Sequence, residues 1–171
     1  PPLPRVGKLL LVRHAESEYN ATGRWSGRRN VHLSQKGFHE TALFGQLLKE
    51  FDIKVDQAYC SEQLRTMETL EGMLNACQQF DVPVQVSGAI DERDYGKYTG
   101  KNKWDMQTLI GEEEFNKMRR GWDYPIPDGE TLKMVYERVL LFYQNEIVPQ
   151  LLAGKNVLIV AHGNSLRALI K

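Results

Sequence analysis

Two short apolar runs of this chain each end in a histidine. Residues 8–12 lead into Arg13 and His14, and residues 156–161 lead into His162. Continuous apolar runs of this length are typical of the buried parallel strands of an α/β sheet. Because ligands bind at the carboxyl edge of such sheets, the sequence predicts that both histidines and the arginine lie at one ligand-binding edge.

The remaining patterns alternate between strand and helix. Residues 55–60 and 83–86 predict two further strands, and Ser34 and Ser61 are predicted to cap helices. Further helices are predicted over 104–120, from Asp128-Gly129 through Ile147, and over 164–171. The helix after Ser34 carries apolar residues at helical spacing, namely Phe38, Leu43, Phe44, Leu47, Leu48 and Phe51.

This alternation predicts the fold class. Strands alternating with helices imply an α/β fold, a three-layer sandwich with a mainly parallel sheet covered on both faces. A chain of 171 residues is interpreted as a single domain over residues 1–171. Because the last helical pattern is still running at Lys171, we expect the chain to be truncated at its C-terminus.

The charge balance bears on the kind of ligand. Lys and Arg number 22, as do Asp and Glu, so attraction of an anion must come from local clustering of cations, and no nucleic-acid partner is expected. No apolar stretch approaches the ~20 residues of a membrane span, so no membrane partner is expected. Cys60 and Cys77 lack the spacing of a metal site or a disulfide framework, which favours reduced cysteines in a cytoplasmic protein.

His14 is the candidate nucleophile. A neutral imidazole attacks phosphorus when a backbone carbonyl holds its second ring nitrogen, and Arg13 would bind the phosphoryl oxygens. His162 would be a second hydrogen-bond donor to the same group, with Asn164 facing an anion at the start of a helix. A single histidine at a strand end is more often structural, so this interpretation depends on the two strand ends acting together.

Other charged residues extend the candidate site. Arg65 lies in the first turn of a helix at the same sheet edge, and Glu92 is a candidate general acid or base in the loop after the third strand. Lys103, Arg119 and Arg120 are candidates for binding a carboxylate or a second phosphate. The alternative for each is a solvated surface charge, which is the usual role of charged runs.

Ordered blocks of the sequence resemble the histidine phosphatase superfamily. The blocks are 11–20, 26–27, 33–37, 61–66, 92–96, 100–103, 119–121 and 161–169. An ordered set of blocks is far more specific than one short motif. Within the superfamily the set is similar to the phosphoglycerate mutases that are primed by 2,3-bisphosphoglycerate, and this implies the phosphoglycerate mutase-like version of the α/β sandwich.

The resemblance also implies roles. His14 would carry the phosphoryl group, Arg13, Arg65 and His162 would surround it, and Glu92 would be proton donor and acceptor. The implied primer is 2,3-bisphosphoglycerate and the implied partner is a small phosphorylated substrate, with no metal because arginines and histidines supply the charge. The residues implied to bind substrate are Asn20, Ser26, Gly27, Tyr95, Lys103, Arg119, Arg120, Gly163 and Asn164.

Three functions stay open at this point. We favour interconversion of 3-phosphoglycerate and 2-phosphoglycerate, an isomerase reaction of glycolysis, because Lys103, Arg119 and Arg120 offer contacts beyond the transferred phosphate. The alternative is a phosphomonoester phosphatase of the same superfamily. A second alternative is a non-catalytic phospholigand-binding module, which predicts loss of the nucleophile or of Glu92, and neither is lost. The sequence allows a homo-oligomer but does not decide the oligomeric state.

Overall fold

The computed structural model describes residues 5–170, and a four-stranded sheet lies at its centre. Its strands are β1 (Leu9–Arg13), β2 (Gln57–Cys60), β3 (Val84–Val86) and β4 (Val157–Ala161), in the order β1-β4-β2-β3. Each neighbouring pair is parallel. The predicted α/β fold with its parallel sheet is therefore confirmed, and each predicted strand is present, one or two residues shorter at its start.

Helices cover the sheet, and their bounds are α1 (Glu18–Ala21), α2 (Gln35–Glu50), α3 (Leu64–Ala76), α4 (Lys103–Ile110), α5 (Glu112–Arg120), α6 (Leu132–Phe142), α7 (Val148–Leu152) and α8 (Gly163–Leu169). A π-helical turn over Tyr143–Ile147 joins α6 to α7, and two 3₁₀ turns, Gly88–Ile90 and Gly96–Tyr98, lie in the loop after β3. No helix within 5–170 is both long and apolar enough to cross a membrane.

The two faces of the sheet form separate apolar cores. Leu158 and Val160 of β4 pack with residues of α2 and α3 on one face. Val157 and Ile159 pack with α6, α7 and the π-helical turn on the other face. Successive strand residues point to opposite faces, and all of β4 is buried, which confirms the three-layer sandwich.

Some predicted helix boundaries were wrong. The predicted cap at Ser34 is confirmed, since its Oγ accepts from the Gly37 amide at 3.1 Å. In contrast, α3 begins at Leu64 with Gln63 at the N-cap rather than Ser61, because the Ser61 side chain is engaged by the buried neighbours described below. The helix predicted from Asp128 begins only after Thr131, whose side chain accepts from the Met134 amide.

The later helices differ from the prediction in smaller ways. The single region predicted over 104–120 is divided at Gly111, whose φ of 88° is in the left-handed region that glycine favours. The last helix, predicted over 164–171, begins one residue earlier, at Gly163, and its last predicted residue lies outside the described residues.

The buried face of α2 is not the apolar stripe of the sequence. Of the six apolar residues at helical spacing, Leu48 alone is buried. Four of the others are between 48% and 70% exposed, namely Phe38, Leu43, Leu47 and Phe51. The buried residues of α2 are Gly37, Thr41, Gly45 and Leu48. Small side chains let α2 approach α3 so closely that a Cβ at Gly45 would overlap Met73. Close helix contact, rather than the apolar stripe, thus decides which face is buried.

Gly37→Ala tests how tightly α2 is held against the segment that follows His14. A Cβ at Gly37 would overlap the backbone carbonyl oxygen of Glu16, which also accepts from the Ser34 amide at 2.8 Å. We expect the variant to lose about 1–3 kcal/mol of unfolding free energy, as other overpacked sites do, measured by urea denaturation. Leu43→Ala, on the exposed face of the same helix, is the control and should change stability by under about 0.5 kcal/mol. Equal losses in both variants would contradict this packing argument.

Candidate active site

The pairing of β1 with β4 brings the two histidines together. Arg13 and Ala161 are register partners at the carboxyl ends of the strands, and the His14 amide continues the ladder by donating to the Ala161 carbonyl at 3.0 Å. The rings of His14 and His162 lie with their centroids 5.0 Å apart. The structure therefore places both strand-end histidines side by side at one sheet edge.

The hydrogen bonding of His14 fixes its tautomer. Nδ1 of His14 lies 2.7 Å from the carbonyl oxygen of Ala15, and because a carbonyl only accepts, Nδ1 carries the hydrogen and Nε2 keeps its lone pair. The Ala15 amide is held in turn by Thr69 Oγ1 at 3.0 Å. Burial, together with the charges of Arg65 and Arg13, lowers the pKa of His14 to about 3. The imidazole is thus neutral near pH 7, the form that attacks phosphorus.

The side chain of His162 is held by a hydrogen bond with Ser61. Its side chain is fully buried, and Nε2 lies 2.8 Å from Ser61 Oγ. Burial and the nearby charge of Arg65 lower the pKa of His162 well below its usual value. Nδ1 is buried without a hydrogen-bond partner among the described residues, so it is the ring atom left for a ligand.

Arg65 lies behind the cavity rather than in its lining. Its guanidinium donates to the carbonyls of Gly27 at 2.7 Å and Arg29 at 2.9 Å, which holds the loop that carries Ser26. Burial lowers the pKa of Arg65 to about 10, so it remains charged at neutral pH. Its Nε has no partner among the described residues. Arg65 therefore combines a structural role with one free N–H.

Most of the predicted site residues line one cavity, which is also lined by His14. Of the fourteen predicted residues, twelve line it, whereas Arg65 and His162 do not. The twelve are Arg13, His14, Asn20, Ser26, Gly27, Glu92, Tyr95, Lys103, Arg119, Arg120, Gly163 and Asn164.

Three lining residues were missed by the sequence analysis: Arg24, Trp25 and Arg167. Arg167 donates to Asn164 Oδ1 at 2.5 Å, and its position three residues after Asn164 on a predicted helix could have indicated a shared face. Trp25 is buried and stacks on Tyr95 with centroids 5.4 Å apart. Arg24 lies two residues before Ser26 in the loop, and no spacing signal in the sequence distinguishes it.

Positive charge dominates the cavity. Its lining contains six cationic side chains, with Glu92 as the carboxylate among the described lining residues. Burial and the charges of Arg119 and Arg13 lower the pKa of Lys103, which shows that these cations are close enough to repel one another. Such a cluster favours an anion with several charges. The cationic residues are Arg13, Arg24, Lys103, Arg119, Arg120 and Arg167.

Glu92 is positioned by its backbone and by its neighbour. Its amide donates to Gln63 Oε1 at 3.2 Å, and its carbonyl accepts from Arg138 at 3.2 Å. The amide of Arg93 donates to the Glu92 carboxylate at 2.7 Å. The carboxylate is thus held at the cavity wall, where it can give or take a proton beside the cations.

The loop of Glu92 is anchored by the buried side chain of Arg93. The Arg93 guanidinium is fully buried and donates to the carbonyls of Met118 at 2.9 Å and Glu130 at 2.8 Å. Because Met118 precedes Arg119 in α5, this anchor also fixes the helix end that carries two cavity cations.

Within residues 5–170 no group of three or more His, Cys, Asp or Glu side chains is placed to hold a metal ion.

Comparison with known proteins gives concordant matches. A family model described as the histidine phosphatase superfamily (branch 1) matches residues 9–171. The 2,3-bisphosphoglycerate-dependent phosphoglycerate mutase of Parvibaculum lavamentivorans is 43% identical over 95% of this chain and 77% of its own length.

Solved structures agree on the fold. Phosphoglycerate mutase from Bacillus anthracis has a TM-score of 0.83 at 23% identity, covering 98% of this chain and 79% of that one. The alpha-ribazole phosphatase from Shigella flexneri has a TM-score of 0.78 at 26% identity, covering 95% and 77%.

The lowered pKa values of His14 and His162 predict acid sensitivity in the ligand-free protein. Both histidines are neutral when folded but take up protons near pH 6.5 when unfolded, so stability is full above that pH and falls as the pH drops below it. Since the pKa of His14 is lowered to about 3, His14 contributes up to about 1.4 kcal/mol per pH unit, and we expect the slope to approach this value between about pH 6 and pH 4.5, with a further fall from His162. His14→Asn should remove the His14 share of this slope in urea titrations. A stability that stays flat over this range would contradict the assignment.

Proposed function

The chain belongs to the histidine phosphatase superfamily, and on that premise we propose that it is a phosphoglycerate mutase that interconverts 3-phosphoglycerate and 2-phosphoglycerate through a phosphohistidine at His14. One observation carries the proposal: a neutral His14 with a free Nε2 faces a cavity lined by six cations. The relative from Parvibaculum lavamentivorans is named as a 2,3-bisphosphoglycerate-dependent phosphoglycerate mutase, which supports the proposal.

A doubly phosphorylated three-carbon acid fits the donor set of this cavity. Such a ligand brings two phosphates and a carboxylate, and the six lining cations match that charge. The buried, unpartnered Nδ1 of His162 and Nε of Arg65 suit an anion next to His14. We propose that 2,3-bisphosphoglycerate, when bound, supplies the phosphoryl group that primes His14, and that Lys103, Arg119 and Arg120 hold its distal groups.

The chemistry at His14 follows from its tautomer. The Nε2 lone pair forms a bond to phosphorus while the bond between phosphorus and the donor oxygen breaks, and Ala15 stabilises the positive charge on the ring. Glu92, in its protonated form, gives its proton to the leaving oxygen. In the reverse transfer Glu92 takes the proton from the attacking hydroxyl as the nitrogen–phosphorus bond breaks. Arg13 binds the phosphoryl oxygens throughout, since positioning and charge neutralisation dominate this reaction.

A phosphomonoester phosphatase is the second candidate. It would use His14 and Glu92 in the same way but would discharge the phosphohistidine to water, and the fold neighbour from Shigella flexneri is a phosphatase. Lys103, Arg119 and Arg120 favour the mutase because a mutase must retain a bisphosphorylated intermediate. A non-catalytic binding module has no need for the arrangement of His14 with Glu92.

We further propose a cytoplasmic location, where glycolytic substrates occur.

The decisive measurement follows three products from the purified protein: 2-phosphoglycerate formed from 3-phosphoglycerate, inorganic phosphate released, and phosphate bound to the protein. We expect mutase activity that rises with added 2,3-bisphosphoglycerate, survives EDTA, and proceeds through an acid-labile, base-stable label on His14. His14→Ala should remove label and activity together. Phosphate release without 2-phosphoglycerate would establish the phosphatase instead, and neither product would overturn both candidates.

Substitutions of different cavity cations are expected to affect mutase and phosphatase activity differently. Arg13→Gln should slow mutase and phosphatase activity together, by roughly one to two decades for a lost charge-assisted contact. Lys103→Met should lower the mutase more, because the bisphosphorylated intermediate escapes before it reorients. Lys101→Met, an exposed lysine outside the cavity lining, is the matched control and should leave both activities unchanged. An unchanged ratio of 2-phosphoglycerate to released phosphate in Lys103→Met would contradict this assignment.

A further inference from the structure

We propose that Ser61 is a positioning residue that donates its hydroxyl hydrogen to Nε2 of His162 and so keeps Nδ1–H of His162 directed at the phosphoryl group on His14. The proposal deepens the proposed function and rests on its phosphohistidine chemistry. It concerns which of the two ring nitrogens of His162 carries the hydrogen, a choice that decides whether this ring attracts or repels the transferred group.

Ser61 follows β2 directly, and His162 follows β4, which is the neighbouring parallel strand. Both side chains are fully buried, and Ser61 Oγ lies 2.8 Å from His162 Nε2. Nδ1 has no partner among the described residues, while the ring itself lies 5.0 Å from the ring of His14. A phosphoryl group on His14 therefore finds Nδ1 as the available polar atom of His162.

The neighbours of Ser61 leave its hydrogen free for His162. The Gln63 amide donates to Ser61 Oγ at 3.2 Å, and the Thr66 hydroxyl, at 2.8 Å, is a second donor within reach. These two bonds occupy the lone pairs of Ser61 Oγ. Gln63 Oε1 also lies near Ser61 Oγ, but at 3.2 Å it is a more distant acceptor than His162 Nε2 at 2.8 Å. Nε2 of His162 then receives the Ser61 hydrogen.

The opposite arrangement of hydrogens is the one to exclude. There, His162 donates Nε2–H to Ser61, Ser61 donates to Thr66, and Thr66 donates to the Gln63 carbonyl at 2.8 Å. This arrangement leaves a lone pair on Nδ1, which would point at the oxygens of a phosphoryl dianion and repel them. With the hydrogen on Nδ1 the same ring becomes a donor to those oxygens. Since burial keeps His162 neutral, one nitrogen alone carries a hydrogen.

Kinetics give the first test. Ser61→Ala should reduce kcat by about 10–100-fold, as removal of partners that orient a functional histidine does, while KM for 3-phosphoglycerate stays within about threefold because the distal cations are untouched. Ser61→Cys keeps a weaker donor and should be intermediate. Thr41→Val is the matched control: it deletes another buried hydroxyl, one that donates to Phe38 within α2, and should leave kcat unchanged. A wild-type kcat in Ser61→Ala would overturn the proposal.

The second test reads the tautomer itself and needs no turnover. Protonated and unprotonated imidazole nitrogens are distinguished by ¹⁵N NMR, and orthovanadate is the probe that mimics the phosphoryl group. In the wild-type protein with orthovanadate we expect hydrogen on Nδ1 of His162 and none on Nε2, and in Ser61→Ala a mixture of both forms. Hydrogen on Nε2 in the wild-type complex would overturn the proposal. Absence of a phosphate label on wild-type His14 would instead overturn the proposed function, so the two failures are distinguishable.

Discussion

The parallel pairing of β1 with β4 is the constraint on which the site depends. One residue beyond the paired ends, the chain delivers His14 and His162 with rings 5.0 Å apart. A register shift by one residue would turn one of these histidines to the other face of the sheet. The buried alternation of β4, with Leu158 and Val160 on one side and Val157 and Ile159 on the other, excludes that shift. Core packing thus sets the distance between the rings of His14 and His162.

Two buried arginines, Arg65 and Arg93, and the half-buried Arg138 extend this order from the sheet to the loops. Arg65 holds the loop at Gly27, Arg93 holds Met118 at the end of α5, and Arg138 pairs with Glu130 at 3.0 Å. Burial alone would raise the pKa of Glu130, but the bonds and charge of Arg138 lower it. Several of these guanidinium groups donate hydrogen bonds to backbone carbonyl oxygens. Because a carbonyl is neutral, such bonds satisfy the N–H groups of a buried arginine while its positive charge is kept. The loops are therefore fixed while the site stays positive.

Sequence reasoning predicted the parts of this molecule that follow from local pattern. The strands and the strand-end histidines were predictable because strand ends in a parallel sheet meet at one edge, whereas lining residues such as Asn20, Ser26, Gly27 and Tyr95 were implied by the family resemblance. The buried face of α2 was not predictable, because its close contact with α3 depends on Gly45 and Thr41 rather than on the apolar stripe. Arg65 was predicted in the right place, but its bonds to Gly27 and Arg29 come from residues distant in sequence. Such tertiary contacts have no local signature.

Two buried polar atoms of the site have no hydrogen-bond partner among the described residues. Nδ1 of His162 and Nε of Arg65 are buried without partners, and a buried unsatisfied polar group costs about 1–3 kcal/mol. The same burial, with the cations nearby, keeps His14 neutral and its Nε2 available. A solvent-exposed histidine with an ordinary pKa would not carry this cost of burial. It would, however, be protonated, and so unable to attack phosphorus, over part of the pH range near neutrality. The features that weaken the fold are therefore the same ones that, under the proposed function, bind an incoming phosphoryl group and leave it open to attack.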